Sequence, residues 1–290
     1  MANRIENENM RGVEGMSSGT LYVVATPIGN LGDLSRRAED VLKSVQIVAA
    51  EDTRRTAVLL QHIGHRAPEL LSVHEHNEDS ATPELIARLQ AGASIALVSD
   101  AGTPLINDPG FTLVSAAYEA GISVVPIPGA SSLTTFLSVC PLPCQPFQFV
   151  GFLPPKGAAK EKFLADCLTE PHATLFLESP KRIHATLSAI AQRSERPIMI
   201  GRELTKQFET FLYGTATEVL NALGDESRGE FIGLISAQSG SDSGISRDAK
   251  AVLQILLKEL KPAQAAKLGA QICGMKKSQM YELALWLEEE

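Results

Sequence analysis

Residues 95–110 read IALVSDAGTPLINDPG, an apolar run that ends in a loop rich in Gly, Pro and Asp. Apolar residues bounded by such a loop predict a strand that is buried on both faces. The same arrangement occurs twice more in the first half of the chain, as LYVVATPIGN at 21–30 and as SVVPIPGASS at 123–132. Strands of this kind, separated by segments of helix length, predict a parallel α/β sheet covered by helices on both faces.

The rest of the chain continues this alternation. Ser35 predicts the start of the first helix, because a serine oxygen can accept a hydrogen bond from the first turn. Further elements of the first half are predicted strands at 21–25, 47–50, 70–73, 95–99 and 123–127, and helices at 54–63, 83–89, 112–120 and 131–139. For the second half we predict strands at 147–153, 174–178, 198–202, 209–213 and 231–236, and helices at 161–168, 183–192 and 217–223. The strands at 198–202 and 209–213 have no helix between them, which predicts a mixed sheet.

Composition breaks divide the chain into four predicted segments. Residues 1–18 have little apolar periodicity and are predicted to be a flexible tail. Prolines at 141, 143 and 146 separate an α/β domain at 19–140 from a second one at 141–239. A Gly/Ser/Asp linker at 239–246 precedes a helical domain at 245–290. Its helix–Gly274–helix pattern is typical either of a helix-turn-helix reader of nucleic acid or of a three-helix packing module.

Composition also excludes several classes of protein. The 290 residues are 44% hydrophobic and 21% charged, which argues against a disordered chain, and no apolar run is long enough to cross a membrane. The start of the chain resembles neither a signal nor a transit peptide, and the four Cys lack CxxC spacing, so we expect a cytoplasmic protein. The net charge of −8 argues against a generally basic nucleic-acid binder. The acidity is concentrated in residues 19–140, however, while residues 154–206 hold 9 basic and 6 acidic groups and residues 245–287 hold 7 and 3.

The three loops that follow the strands of the first half carry the chemistry. Ligands of α/β sheets bind at the carboxyl ends of the strands, so we expect these loops to converge on one crevice. None has the G-x-G-x-x-G spacing of a dinucleotide site or a Walker-type phosphate loop. The loops at 98–110 and 126–132 contain no Lys or Arg, which favours a zwitterionic small ligand over a polyphosphate. Each loop taken alone is also explained as a turn with a helix cap.

A series of motifs in the chain resembles the tetrapyrrole methylase superfamily, and within it the members that methylate ribosomal RNA. The motifs are TPIGNL at 26–31, EDTR at 51–54, DAGTP at 100–104, PGASS at 128–132 and RELTK at 202–206. The corrin and porphyrin methylases tend to have Gly-Asp-Pro where this chain has Asp-Ala-Gly-Thr-Pro. That difference favours an RNA substrate over a tetrapyrrole.

The resemblance implies two α/β domains with a folded S-adenosylmethionine in the cleft between them, a small helical domain, and a homodimer. It implies methylation of the ribose 2′-hydroxyl of a cytidine in the decoding region of 16S ribosomal RNA, within the small ribosomal subunit. The cofactor-binding residues it implies are Pro27, Asp100, Ala101, Gly102, Thr103, Gly129, Ser131, Ser132, Phe176 and Leu177. Phe176 and Leu177 would close over the adenosine. A methylase of small tetrapyrroles and a non-catalytic RNA-binding assembly factor remain as alternatives.

Candidates for the chemical step and for RNA contact follow from charge and position. A ribose hydroxyl is a weak nucleophile and gains from a nearby base or cation, and the candidates are Asp52, Asp100, Glu203 and Lys206. Asp100 could equally bind the cofactor, and Glu203 with Lys206 could be a simple ion pair. The candidates for RNA contact are Arg54, Arg55, Lys156, Lys181 and Arg182, with Lys156, Lys160 and Lys162 on a mobile basic flap. His62, His65, His74 and His76 match no zinc spacing, so we expect no metal.

Overall fold

The computed structural model describes residues 19–65, 69–237 and 247–289. The predicted tail at 1–18 and the predicted linker at 239–246 lie outside the described residues. Two five-stranded sheets and a group of three helices make up the described part of the chain. This arrangement confirms the predicted α/β fold with a small helical region after it.

The first sheet is parallel throughout, with strand order β3-β2-β4-β1-β5. Its strands are β1 Thr20–Val24, β2 Ile47–Ala50, β3 Glu69–Ser72, β4 Ile95–Val98 and β5 Ser123–Ile127. Its helices are α1 Arg36–Ser44, α2 Thr53–His62, α3 Glu78–Gln90, α4 Phe111–Glu119 and α5 Ser132–Ser138, with a short 3₁₀ turn at Leu31–Asp33. Strands β2 and β4 are buried at every position, and a separate apolar cluster covers each face of the sheet. The fully apolar strands are therefore explained by burial on both sides.

The second sheet is mixed, as its adjacent strands predict. Its order is β6-β7-β10-β8-β9, in which β6 and β7 pair in parallel and the other neighbours are antiparallel. The strands are β6 Phe147–Phe152, β7 Ala173–Glu178, β8 Ile198–Arg202, β9 Thr210–Gly214 and β10 Phe231–Ile235. Helices α6 Gly157–Thr169, α7 Ile183–Ala191 and α8 Ala216–Leu223 pack on one face. On the other face, Ile28 and Phe136 of the first half are buried with Ile232 and Leu234 of β10, so an apolar core joins the two halves.

Two helices begin earlier than their apolar patterns predict. Helix α3 begins at Glu78 instead of 83, and Pro83 lies inside it. Its first turn carries Glu78 and Asp79, whose negative charge suits the amino end of a helix. The Glu78 carboxylate also accepts a hydrogen bond of 2.6 Å from the backbone N–H of Thr112, which ties α3 to α4. Helix α6 similarly begins at Gly157 instead of 161. Polar tertiary contacts and polar first turns are invisible to a search for apolar periodicity.

The C-terminal region is a three-helix unit with its own core. Its helices are α9 Arg247–Leu256, α10 Pro262–Cys273 and α11 Lys277–Glu289. Leu253, Ala266 and Met280 are fully buried between them. Gly274 ends α10 in the left-handed conformation with φ of 65°, which explains why glycine stands at this turn. Within the described residues, no helix is both long and apolar enough to cross a membrane.

Candidate active site

The three loops predicted to converge are joined by hydrogen bonds. The backbone groups of Thr26 and Gly102 pair in both directions, at 2.8 and 3.0 Å. The Thr103 hydroxyl donates to the carbonyl of Ala130 at 3.2 Å. A Cβ at Gly129 would lie 3.0 Å from the Cβ of Ala25, so the third loop also packs closely on the first. The loops therefore form one bonded surface at the carboxyl ends of β1, β4 and β5, and the Gly102 N–H is already used within it.

A cavity of about 310 Å³ lies between this surface and the second sheet. The first half contributes Ile28, Ala101, Ile106, Asn107, Asp108 and Ser132 to its lining. The second half contributes Phe152, Leu177, Glu178, Ser179, Pro180, Leu204, Glu230, Phe231 and Ile232. We call this cavity the cleft. Its walls are mostly aliphatic and aromatic, with carboxylates and hydroxyls at a few points, which is the usual composition of a small-molecule site.

The predicted cofactor-binding residues divide into those in the cleft and those behind it. Ala101, Ser132 and Leu177 line the cleft. Ser131 precedes α5, and its side chain makes no capping hydrogen bond to that helix. Pro27, Gly102, Thr103 and Gly129 belong to the bonded loops behind the lining. Phe176 is fully buried on the other face of β7, in the core below α6, α7 and α8. Its side chain does not close over a ligand in the cleft, because neighbouring residues of a strand point to opposite faces.

Asp52 and Asp100 lie together but are engaged in structural bonds. The Asp100 carboxylate accepts the backbone N–H of Asp52 at 3.0 Å and pairs with Arg55 at 3.2 Å. Asp100 is thus bonded to the residue that caps α2. The Asp52 carboxylate in turn accepts hydrogen bonds from the side chain and backbone of Arg54. Those bonds hold the pKa of Asp52 well below its usual range, which makes Asp52 a weak base.

Glu203 and Lys206 form an ion pair in the turn between β8 and β9. The Lys206 ammonium lies 3.0 Å from Glu203 Oε1 and 3.0 Å from Glu230 Oε2. Burial alone would raise the pKa of Glu203, but the N–H of Glu230 and the Lys206 ammonium bring it below its ordinary value. Burial by itself would lower the pKa of the Lys206 ammonium. The carboxylates of Glu230 and Glu203 have a larger effect in the opposite direction, so the pKa of Lys206 is raised. Both groups are therefore charged at neutral pH and held by each other.

A buried ionic network forms behind the second wall of the cleft. Glu178 Oε2 accepts from Lys160 at 3.3 Å and from the Thr186 hydroxyl at 2.6 Å, while Oε1 accepts from Arg182 at 2.7 Å. Arg182 also donates to the carbonyl of Leu153 at 3.2 Å. Lys160 is only 7% exposed. Lys160 therefore does not belong to a mobile flap, because it is buried and paired with Glu178. Arg182 shares the same carboxylate, but its side chain is partly exposed.

The other candidates for RNA contact remain accessible. Arg54 and Arg55 are exposed at the start of α2, on the side of the first half. Lys156 and Lys181 are exposed on the second half, each close in sequence to residues that line the cleft. Lys276 and Lys277 are exposed at the start of α11. Among the described residues, no group of three or more His, Cys, Asp and Glu side chains could hold a metal ion.

Sequence reasoning missed Asp108, which lies in the cleft wall on the loop between β4 and α4. Asp108 and Asn107 also line a second cavity of about 420 Å³, together with Glu51, Glu75, Glu78 and Pro109. The pKa of the Asp108 carboxyl is raised to about 6. Burial is the main cause, the charges of Glu51 and Asp100 add to the rise, and a side-chain hydrogen bond with Ser99 offsets part of it. In the sequence Asp108 is only one Asp of a turn-rich loop, so no local signal sets it apart.

Two family models match the chain. The model for Tetrapyrrole (Corrin/Porphyrin) Methylases matches residues 20–220, and the model for the RsmI C-terminal HTH domain matches residues 243–288. Among solved structures, uroporphyrin-III C-methyltransferase from Thermus thermophilus, complexed with S-adenyl homocysteine, has a TM-score of 0.52 at 18% identity. The match covers 74% of this chain and 97% of that one, and at this identity it shows the fold alone. The fold and the cleft thus define a two-sheet methylase of the tetrapyrrole type.

Curated relatives narrow this class. The protein of Xylella fastidiosa strain Temecula1 named ribosomal RNA small subunit methyltransferase I is 46% identical over 268 residues, which are 91% of this chain and 98% of that protein. The protein of the same name from Escherichia coli O157:H7 is 43% identical over 274 residues, or 93% and 96% of the two chains. The chain belongs to the tetrapyrrole methylase family, and within it to the ribosomal RNA small subunit methyltransferase I group.

Proposed function

We propose that this protein methylates ribosomal RNA of the small subunit, at the ribose 2′-hydroxyl of a cytidine in the decoding region of 16S RNA. The methyl donor is S-adenosylmethionine. The observation that carries the proposal is the cleft between the two halves. It occurs in a chain that matches nearly the whole length of relatives named rRNA methyltransferases. The ribose position and the cytidine rest on the resemblance of the motifs and are the finer part of the proposal.

The residues of the cleft fit S-adenosylmethionine. Leu177, Leu204 and Phe231 give an apolar wall that suits an adenine ring, and Ser132 and Asn107 offer polar groups for a ribose or an amino-acid end. Three carboxylates also line the cleft, Asp108, Glu178 and Glu230, and the last two are paired with cations. Ala101 belongs to this lining and Ser131 directly precedes Ser132, so both are included in the proposed binding set.

The protein's contribution to the reaction is mainly positioning. The bound donor supplies an electrophilic methyl group, and its transfer to an alcohol is an in-line displacement that gains most from correct alignment. The bonded loops of the first half are fixed to one another, and the Leu204–Lys206 turn is held by ion pairs. Bonds within each wall therefore hold the lining residues in place, which favours alignment of the two reactants.

RNA contact is assigned to the exposed basic groups on the two sides of the cleft. Arg54 and Arg55 lie on one half and Lys156 and Lys181 on the other, so a strand of RNA lying over the cleft could meet both. The acidic first half disfavours binding to arbitrary nucleic acid. A local contact with a folded ribosomal subunit fits this distribution of charge.

The proposal is tested by mapping 2′-O-methyl groups on 16S RNA after small subunits from a strain lacking the endogenous enzyme are incubated with the protein and S-adenosylmethionine. We expect one new 2′-O-methylcytidine in the decoding region. Methylation of a base, or of a tetrapyrrole but no RNA, would overturn the assignment of the substrate. Calorimetry with S-adenosylmethionine checks the donor separately, and an assembly factor without catalysis would bind subunits but not this donor.

Three further properties belong to the same proposal. We place the domain boundaries at 19–140, 141–239 and 245–290, which limited proteolysis followed by mass spectrometry would check. We expect a homodimer in the cytoplasm. Exposed aromatic side chains such as Phe111 and Phe208, which are 73% and 66% exposed, offer apolar surface for a subunit contact. Light scattering at several protein concentrations measures the mass of the particle.

A further inference from the structure

Asp108 occupies a position that no other carboxylate of the described residues has. It lines the cleft proposed for the methyl donor and also the acidic cavity next to it. A side chain in the wall shared by two cavities can be reached from both. The two cavities therefore adjoin at Asp108 and its neighbour Asn107.

The other carboxylates in the cleft wall are neutralised by cations. Glu178 pairs with Lys160 and Arg182, and Glu230 pairs with Lys206. For Asp108, no Lys, Arg or His of the described residues lies within ion-pair distance. The catalytic candidates taken from the sequence are also paired, Asp52 with Arg54, Asp100 with Arg55 and Glu203 with Lys206. Asp108 is the carboxylate in the cleft wall that is free to accept a proton without breaking an ion pair.

The loop that carries Asp108 is held in a strained and fixed conformation. Leu105 and Asn107 have φ of 71° and 67°, values that residues other than glycine rarely adopt. Gly110 has φ of 127°, and a Cβ there would lie 2.7 Å from Leu97. A Cβ at Gly151 on β6 would lie 2.6 Å from the side-chain oxygen of Asn107, so the loop also rests on the second half. These contacts hold the backbone on both sides of Asp108.

The surroundings of Asp108 are acidic from every side. The charged and titratable groups of the neighbouring elements are Glu51 after β2, Asp100 with its partner Arg55, Glu75 and Glu78 before and in α3, and, across the cleft, Glu178 and Glu230 with their cations. Burial, with the charges of Glu51 and Asp100, raises the pKa of Asp108 to about 6. A base with this pKa is ionised at neutral pH and still binds a proton readily.

We propose that Asp108 is the general base of the methyl transfer and takes the proton of the ribose 2′-hydroxyl. This inference rests on the proposed function. As the O–H bond breaks, its proton goes to the Asp108 carboxylate, and the oxygen forms a bond to the methyl carbon. The carbon–sulfur bond breaks and its electron pair stays on sulfur, which becomes the neutral thioether of S-adenosylhomocysteine. The carboxylic acid then releases the proton to water, so charge and atoms balance.

The first test measures the carboxyl group itself. The full-length protein without methyl donor is labelled with ¹³C at Asp carboxyls and titrated by NMR. The resonance that disappears in Asp108→Asn identifies the group, and we expect its midpoint near pH 6. A midpoint at the ordinary value of about 3.9 would overturn the proposal.

The second test separates a base from a ligand of the methyl donor. We expect Asp108→Asn to slow single-turnover methylation of small subunits by about 10²–10⁴-fold, while the Kd for S-adenosylmethionine by calorimetry changes less than about threefold. The acidic limb of the wild-type pH–rate profile should be missing in the variant. Equal losses in rate and in donor affinity would make Asp108 a ligand, and an unchanged rate would remove it from the reaction.

Two controls complete the design. Glu119→Gln removes an exposed carboxylate at the end of α4 and should leave the rate and the profile unchanged. Ser99→Ala removes the side-chain interaction that stabilises ionised Asp108, so the midpoint and the acidic limb should move to higher pH. Wild-type enzyme in the same assay distinguishes a failure of the proposed function from a failure of the proposed role of Asp108. Absence of a ribose methyl group with wild type contradicts the proposed function, whereas an equally active Asp108→Asn contradicts only the role of Asp108.

Discussion

Gly29 is a residue at which the two halves of the molecule approach each other closely. A Cβ at this position would lie 2.5 Å from Lys206 Cγ and 2.8 Å from the carbonyl oxygen of Leu204. A backbone oxygen cannot rotate away, so a larger residue must displace the turn that carries Leu204. Because Leu204 lines the cleft, the shape of the donor site depends on a glycine that the sequence shows only as part of a turn.

We therefore predict that Gly29→Ala weakens S-adenosylmethionine binding by about tenfold, or about 1.4 kcal/mol, by moving the Leu204 wall. Calorimetry measures the Kd. Gly32→Ala is the matched control in the same loop, because its nearest contact is the side chain of Asn30 at 3.2 Å. Equal Kd values for the two variants would contradict the argument.

Asp108 also allows a prediction about stability. Its pKa is raised from 3.8 to about 6, so the ionised form costs stability above pH 6 and the cost disappears below about pH 4. Asp108→Asn should thus melt at a higher temperature than wild type at pH 8 and at nearly the same temperature at pH 4. Thermal denaturation at the two pH values checks this. A variant that is less stable at pH 8 would show that the ionised carboxylate stabilises the fold.

At the scale of elements, the Glu178 network shows how buried charge fixes the second wall of the cleft. Glu178 ends β7, Lys160 lies in α6 and Thr186 lies in α7, so one carboxylate joins three elements. The sequence interpretation placed Lys160 with Lys156 and Lys162 because all three follow a polar loop. Only the packing of α6 on the sheet separates the buried lysine from its exposed neighbours.

Lys160→Met should lower the free energy of unfolding by about 2 kcal/mol, because Glu178 and Thr186 lose a charged hydrogen-bond partner while Arg182 still balances the Glu178 charge. Lys162→Met on the same helix is the control, since Lys162 is exposed, and we expect a change of less than about 0.5 kcal/mol. Urea denaturation measures both. A stable Lys160→Met protein would mean that Arg182 alone satisfies Glu178.

Most element positions follow from local patterns, and the differences have a tertiary cause. Strands at 47–50, 123–127 and 198–202 are found where they are predicted, because each is a short apolar run between turn residues. Helix α3 starts five residues early, where Glu78 contacts α4 across the fold. A contact of that kind has no signature within a local window of sequence.

For the whole molecule, the distribution of charge decides which RNA can bind. The acidic groups are concentrated in the first half, whereas basic side chains remain exposed near the cleft and at the start of α11. Averaged over the chain, the net charge of −8 hides this separation. On the proposed function, we expect the helical region to be a second, separate contact for the ribosomal subunit.

We predict that Lys276→Ala combined with Lys277→Ala weakens binding to small ribosomal subunits about tenfold and lowers the salt slope of the affinity by about two. Filter binding between 50 and 200 mM salt, roughly the range over which phosphate contacts are lost, measures both quantities. Lys43→Ala is the control, because Lys43 lies in α1 and pairs with Glu39. Unchanged affinity and slope would assign the helical region a packing role only.

The sequence by itself determined the two α/β halves, the helical region and the convergence of three glycine-bearing loops, because strands, turns and caps depend on neighbouring residues. It did not determine which side chains meet. Strand order places β2 beside β4, which brings Asp52 to Asp100 across 48 residues of chain. β7 has three consecutive apolar residues at 175–177, so its pattern cannot tell that Leu177 faces the cleft and Phe176 the core. Burial on both faces removes the alternation that would reveal direction, and only the packed tertiary structure supplies it.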